Sequence, residues 1–211
     1  MTTEVIKQTE LQRYYQLHSR IYDATRWSFL FGRKKIIDHV GGLMQPVNIL
    51  EVGCGTGINL LYLKQRFPHA SLTGIDLSTD MLNIATRKTS KCKPVPELVN
   101  MKYENPLTDL NSNTVKFDLI LFSYALSMFN PGWDVALQTA RKQLSDNGLI
   151  AVVDFSHSPL SFFRRWMKLN HVKMDQHLLP GLESQFAPIM SENHQAYLGL
   201  WQYLFFIGSH K

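Results

Sequence analysis

Val47-Asn-Ile-Leu-Glu-Val-Gly-Cys-Gly-Thr-Gly57 decides how this chain folds. Val47 to Val52 is a short, mostly apolar run that reads as a buried strand. It breaks into glycines at alternate positions, Gly53, Gly55 and Gly57, where the backbone must turn sharply and let a ligand approach closely. Helical periodicity follows at once. Ile58, Leu61, Tyr62 and Leu63 fall on or near one face before Phe67-Pro68 ends the run. Strand, glycine turn and helix form the opening of a nucleotide-binding βαβ unit.

Further on, Ser71-Leu-Thr-Gly-Ile-Asp76 reads as a second short strand ending in a carboxylate. Asp76 lies 19 residues after Gly57, about the distance a crossover helix and the next strand require. A carboxylate there can accept both hydroxyls of an adenosine ribose. The dinucleotide pattern G-x-G-x-x-G does not fit, because its third glycine would fall on Ile58 or Leu60. The P-loop lysine is also missing.

The string Leu-Glu-Val-Gly-Cys-Gly-Thr-Gly resembles motif I of the class I S-adenosylmethionine-dependent methyltransferases. The resemblance implies a mostly parallel seven-stranded sheet, α/β and Rossmann-like, with S-adenosyl-L-methionine as the donor. It puts Glu51 near the methionine end of that ligand and Asp76 on its ribose. Carried onto this chain, the donor site takes in Glu51, Gly53, Cys54, Gly55, Thr56, Gly57, Asp76, Leu77, Met81 and Ser123. Tyr103, Glu104 and Asn105 would flank the adenine, and Tyr22 and Arg33 would join from the N-terminal segment.

At 211 residues, 45% of them hydrophobic, the chain can bury the core of one domain. The first twenty residues are polar and contain acids, unlike a secretory leader. No apolar run reaches the length of a membrane span. Cys54 and Cys92 have no metal-ligand spacing and form no disulfide framework, so a reducing, cytoplasmic setting is expected. Cys54 reads as a small side chain that fits the turn, and no residue cluster has metal spacing. The net charge of +5 suits an anionic partner, nucleic acid or acidic lipid. Cations crowd two aromatic-rich segments, one from Arg13 to Lys35 and one holding Arg164, Arg165 and Lys168.

Along the chain, helices are expected at 4–22 and 33–43, then the first strand and helix, the second strand, and a helix capped by Ser78 or Thr79. Strands follow at 97–103, 117–122 and 149–155, with a helix from Trp133 to Leu144 and a turn at Asn147-Gly148. Tyr197 to Gly208 is expected to hold a final strand pair. Alternation of strands and helices implies a doubly wound sheet covered on both faces. A single domain spans 1–211, with residues 1–45 as a helical cap and 158–190 as a partly helical lid.

Ligands of such sheets lie outside the C-terminal ends of the strands. After the fourth strand comes Ser123-Tyr-Ala-Leu-Ser-Met128, unlike the Asn/Asp-Pro-Pro-Tyr/Phe signature of enzymes that methylate nucleic-acid bases, so no nucleic acid partner is expected. This stretch, with Ile21 to Arg33 and Val153-Asp-Phe-Ser156, resembles the bacterial betaine-lipid N-methyltransferases. That resemblance implies a lipid-headgroup amine as acceptor, of the diacylglyceryl-homoserine or phosphatidylethanolamine type.

Methyl transfer needs the nucleophile aligned with an already activated carbon, and it needs water excluded. Tyr14, Tyr15, Tyr22, Trp27, Tyr124 and Phe129 are candidates to line an ammonium site, or else pack the N-terminal helix on the core. Tyr22 and Tyr124 lie in the elements carrying the resemblance and are the candidate catalytic residues, with His157 as a candidate base. His171 and His177 are weaker candidates. Arg26 and Arg33 either hold a carboxylate or face solvent or lipid phosphate. Leu160 to Leu169 mixes apolar bulk with three cations, as interfacial helices do, or folds as a lid over the acceptor. Three classes stay open: a lipid N-methyltransferase at the inner face of a membrane, a soluble methyltransferase of a small molecule or quinone precursor, and a donor-binding protein without activity.

Overall fold

The computed structural model describes residues 30–211. The chain runs α1 (Arg33–Leu43), β1 (Asn48–Val52), α2 (Ile58–Arg66), β2 (Ser71–Asp76), α3 (Thr79–Thr89), β3 (Glu97–Asn100) and β4 (Phe117–Ser123). Then come α4 (Trp133–Gln143), β5 (Leu144–His157), α5 (Ser161–Leu169), α6 (Leu178–Gln185), β6 (Phe186–Ala196) and β7 (Trp201–His210). The seven strands form one sheet in the order β3-β2-β1-β4-β5-β7-β6. β1 to β5 are parallel, while β7 runs antiparallel to both β5 and β6.

The central strands are apolar throughout because both faces are covered. On one face Ile49, Leu119, Leu121, Val153 and Phe205 pack with Ile36 and Val40 of α1, Leu60 and Leu63 of α2, and Phe163 and Met167 of α5. On the other, Leu50, Ile120, Val152 and Phe206 pack with Leu137 and Ala140 of α4 and Leu182 of α6. Strand order reverses beside β1, where β2 lies on one side and β4 on the other. The glycine turn leaves β1 at this switch point, where open α/β sheets leave a crevice for ligands.

Three expected boundaries move. β3 stops at Asn100, because its last partner, Asp76, ends β2 and nothing remains to pair with residues 101–103. Asn147-Gly148 is not a turn between elements but part of β5, which enters the sheet at Leu144. Leu144 pairs with Phe117 and Leu149 with Leu119, so the extra residues bulge outward with Asp146 and Asn147 exposed. The final strand pair is β6 and β7, joined by a 3-10 turn at Tyr197–Gly199, so its first strand begins within the segment read as a lid. β6 is an edge strand carrying Ser191-Glu-Asn-His-Gln195, too polar for an apolar alternation to mark it. The rest of the lid segment is partly helical, as expected, holding α5 and α6. The helix expected at 4–22, and with it Tyr14, Tyr15, Tyr22, Arg26 and Trp27, lies outside the described residues.

Gly57 shows why the turn is written in glycine. Its φ is +78°, and an added Cβ would sit 3.0 Å from the Ala85 Cβ and 3.2 Å from the Ala85 Cα. Gly57→Ala is expected to cost about 1–3 kcal/mol, from left-handed strain plus crowding against α3. Urea denaturation checks this, and an unchanged midpoint would contradict it.

Candidate active site

The turn after β1 hangs on the end of β2. The Gly53 and Cys54 N–H groups both donate to the Ile75 carbonyl, at 2.8 and 2.9 Å. Asp76 continues the link. One carboxylate oxygen accepts from the Gly55 N–H and the other from the Ser78 N–H, each at 2.8 Å. A carboxylate offers about four acceptor positions, so this one keeps capacity for two ligand hydroxyls. Burial pushes the Asp76 carboxyl up, while the backbone N–H groups pull it down. Gly55 has φ +53° and nothing within 4 Å of where a Cβ would stand, so open space lies beside bare backbone.

Neighbouring side chains fix both loops. The Ser78 hydroxyl caps α3 by accepting from the Met81 N–H at 3.3 Å. Asn100 clamps the loop after β2, its amide donating to the Asp76 carbonyl at 3.0 Å and the Leu77 carbonyl at 2.9 Å. Lys88 on α3 donates to the Thr56 hydroxyl at 3.2 Å. Cys54 is buried, and its thiol is pushed up by burial and by the nearby Glu51 and Asp76 carboxylates. It stays a neutral spacer.

Glu51 is the unusual group. It sits inside β1, fully buried, and one oxygen accepts from the Asn59 amide at 2.7 Å. Its other oxygen and the Asn59 carbonyl oxygen have no partner among the described residues. Burial pushes the Glu51 carboxyl up to about 8, against the downward pull of Asn59 and of the Arg33 guanidinium. Orphaned buried acceptors are rare in folded proteins. A cationic amine from a ligand would satisfy both, so the residues fit a donor with an α-ammonium at one end and a ribose at the other.

This geometry carries a pH prediction. The folded-state value lies above the ordinary carboxylate range, so the ligand-free folded chain holds a proton that the unfolded chain has released. Stability is therefore highest in mild acid and falls as pH rises toward about 8. Glu51→Gln is expected to remove a fall on the order of 2–4 kcal/mol. Urea denaturation at pH 5.5 and 8.5 checks this, and parallel pH dependence in both proteins would contradict it.

Aromatic rings gather on the same face of the sheet. Tyr124 follows β4 at φ +56°, its N–H donating to the Val153 carbonyl at 2.8 Å. Its ring lies edge-on to Phe155 at 4.7 Å and to Trp201 at 6.4 Å. Its hydroxyl donates to the Phe31 carbonyl at 2.8 Å, pinning the chain that leads into α1. Phe31 packs on Trp201 at 5.9 Å and on Tyr203 at 6.4 Å, and Gly32 passes over the Tyr203 ring. Arg33 lies near both Glu51 and Tyr124, favouring the charged form of each. Trp201 is fully buried, with its indole N–H unpartnered among the described residues. Asp154, also fully buried, holds the 124–128 loop by accepting from the Ser127 N–H at 3.1 Å, and burial pushes its carboxyl up to about 6.

Residues 49–148 match a family profile described as a methyltransferase domain. The chain is 26% identical over 161 residues to malonyl-[acyl-carrier protein] O-methyltransferase of Priestia megaterium, covering 72% of this chain and 54% of that protein. It is 27% identical over 166 residues to demethylmenaquinone methyltransferase of Staphylococcus aureus, covering 76% and 66%. The chain thus spans about half to two thirds of these curated relatives. Among solved structures it is similar to the N-methyltransferase NodS from Bradyrhizobium japonicum WM9 in complex with S-adenosyl-L-homocysteine. That likeness has a TM-score of 0.75 at 17% identity, covering 95% of this chain and 98% of that one, and shows the shared fold. The match over residues 49–148 is to a methyltransferase domain, and the fold is one shared with a methyltransferase that binds S-adenosyl-L-homocysteine.

The fold brings Glu51, the glycine turn, Asp76, Leu77 and Met81 together at the switch point of the sheet, with Arg33 near both Glu51 and Tyr124. Ser123 ends β4 there, buried, with its hydroxyl unpartnered among the described residues. Phe129 packs with the opposite core cluster, although its ring edge comes near Gly53. Glu104 and Asn105 are exposed, and Glu104 pairs with Lys102 at 2.5 Å. Tyr103 is buried against Phe122. His157 is not brought beside Tyr124. A bulge after Phe155 pairs His157 with Gln202, which faces away from the Trp201 and Tyr203 rings. His171 is exposed, while His177 bonds to Asp175 and packs edge-on against Trp133. No group of three potential metal ligands occurs among the described residues.

Sequence reading missed Asn59, Asn100, Asp154 and Trp201. Asp154 carried a signal, as an acid inside the apolar run Leu149 to Phe155. Trp201-x-Tyr203-x-Phe205 carried another, three rings alternating onto one face.

Proposed function

We propose that this methyltransferase N-methylates an amine on a lipid headgroup of the diacylglyceryl-homoserine or phosphatidylethanolamine type, at the inner face of a membrane. The observation that carries the reading is the group of rings formed by Phe31, Tyr124, Phe155, Trp201 and Tyr203 at the strand ends next to the donor crevice. As methyls accumulate on an amine it becomes a quaternary ammonium, which aromatic faces bind well. The fold it shares with NodS, an N-methyltransferase, agrees.

S-adenosyl-L-methionine, when bound, supplies a methyl carbon already activated by its sulfonium. The chain contributes position and dryness. Gly53 to Gly57 and Asp76 hold the adenosine end, and Leu77, Met81 and Ser123 line the crevice. Glu51 and Asn59 take the ammonium end. Arg33 offers a fork for a carboxylate, from the donor or from a homoserine headgroup. The Tyr124 hydroxyl, through Phe31, keeps the strap before α1 across the site and water out. The acceptor amine must arrive neutral, its proton leaving to water or to a nearby base. Tyr22 and Tyr124 are the candidate groups for that task, His157 facing away from the rings, and Glu104 and Asn105 remain candidates to flank the adenine.

A second reading, a soluble methyltransferase of a small molecule or quinone precursor, draws on the likeness to demethylmenaquinone methyltransferase. Purified protein, methyl-labelled donor and a lipid extract separate the two. Label in amine or betaine lipids supports the first, and label confined to quinone precursors or water-soluble acceptors overturns it. Donor bound with no label transferred would overturn both.

A further inference from the structure

Other helices turn a polar outer face to solvent. α3 exposes Asn83, Thr86 and Arg87, and α4 exposes Gln138, Arg141 and Lys142. α5 does not. Its inner positions Phe163 and Met167 enter the core beside Trp201. Its outer positions Phe162, Trp166 and Leu169 form a second apolar stripe at i, i+4, i+7 spacing, exposed by 66%, 49% and 79%. Arg165 and Lys168 flank that stripe and are exposed too. Arg164 turns back, donating to the Ser158 carbonyl at 2.5 Å.

The stripe continues onto a second element. β5 ends and β7 begins at the same edge of the sheet, and the Ser158 hydroxyl donates to the Leu200 carbonyl at 2.6 Å, tying the approach to α5 to the turn before β7. That turn presents Leu198, fully exposed at 107%, held in the left-handed conformation at φ +56°. Three bulky apolar side chains on one helix and one on a neighbouring strained turn thus rim the end of the molecule where Tyr124 and Trp201 lie. The adjoining loop carries one acid, Asp175, paired with Lys173 at 3.0 Å, so the charge on this rim is cationic.

We infer that α5 and the turn at Tyr197–Gly199 form the seat on which this methyltransferase rests on an anionic bilayer, an inference that deepens the lipid-amine reading and rests on it. Phe162, Trp166, Leu169 and Leu198 enter the headgroup region, and Arg165 and Lys168 meet lipid phosphates. Phe31, the exposed ring of the cluster, packs on Tyr197 of that turn at 5.3 Å, so an amine headgroup meets the rings there without its acyl chains leaving the membrane. The inner stripe of α5 stays in the core, which makes the helix a fixed foot and not a detachable anchor.

Sedimentation of the full chain with phosphatidylglycerol-containing vesicles, with phosphatidylcholine vesicles as control, tests the seat. Binding is expected to the anionic vesicles alone, falling about fivefold for each charge removed by Arg165→Gln or Lys168→Gln and weakening at high salt. Phe162→Ser combined with Leu169→Ser is expected to lower it at least about tenfold. Leu198→Ser, on a separate element, guards against a folding defect in that pair. Absence of vesicle binding, or binding unchanged in all these variants, would overturn the seat. Methylation of detergent-dispersed amine lipid distinguishes the two readings. Transfer to dispersed lipid without vesicle binding overturns the seat and leaves the acceptor standing. Vesicle binding through these residues without transfer upholds the seat and overturns the acceptor.

Discussion

Asp76→Ala is expected to weaken S-adenosyl-L-homocysteine binding by about 100-fold or more, which a calorimetric titration would read as loss of a saturable isotherm. Two losses combine. The ribose hydroxyls lose their acceptor, and the Gly55 and Ser78 N–H groups lose the carboxylate that holds both loops in place. Asp76→Asn separates them. Asparagine keeps one acceptor oxygen, so the loops are partly held while the charge is gone, and an intermediate loss of about tenfold is expected. The fold survives, because Gly53 and Cys54 still bond to the Ile75 carbonyl and Asn100 still clamps the loop after β2. A circular dichroism spectrum matching wild type, with affinity unchanged, would contradict the assignment of Asp76 to the donor.

Trp201→Ala is the largest stability change expected, about 3–5 kcal/mol. The indole is fully buried and touches Phe155 at 5.1 Å, Tyr203 at 5.8 Å and Phe31 at 5.9 Å, so its removal empties the centre of the ring cluster. Trp201→Phe is expected to cost much less, below about 2 kcal/mol, because it keeps most of the volume and removes the unpartnered N–H. Urea denaturation reads both. Function should divide as well. Donor binding, assigned to the glycine turn and Asp76 and not to the ring cluster, is expected to be retained in Trp201→Phe, while methylation of an amine acceptor falls in both variants. A Trp201→Ala protein within 1 kcal/mol of wild type, by the same measurement, would contradict this packing account.

The strand–turn–helix opening was legible because its physics is local. A sharp turn against Ala85 accepts only glycine at position 57, and the second acid falls at the one distance a crossover helix permits. β1, β4 and the core of β5 were legible because strands covered on both faces must be apolar throughout. What failed depended on neighbours. β6 carries polar residues because it is an edge strand, a property of strand order and not of its own sequence. The long β5 hid behind Asn147-Gly148, a pair that ordinarily turns the chain but here bulges because Leu144 already pairs with Phe117. The ring cluster needed the antiparallel register that sets Phe155 opposite Tyr203, and the same register turns His157 away from it. Glu51 was placed near the donor by resemblance alone. Its burial and orphaned oxygen, which give a physical reason, are visible only in three dimensions.

Every part of this account depends on the crevice between the glycine turn and Asp76 holding adenosine with an ammonium at Glu51. Calorimetric titration of S-adenosyl-L-homocysteine into the folded wild-type chain tests that most directly. The account predicts saturable one-to-one heat near neutral pH, with a proton released as ligand binding ionises Glu51. A flat titration on protein shown to be folded would contradict it.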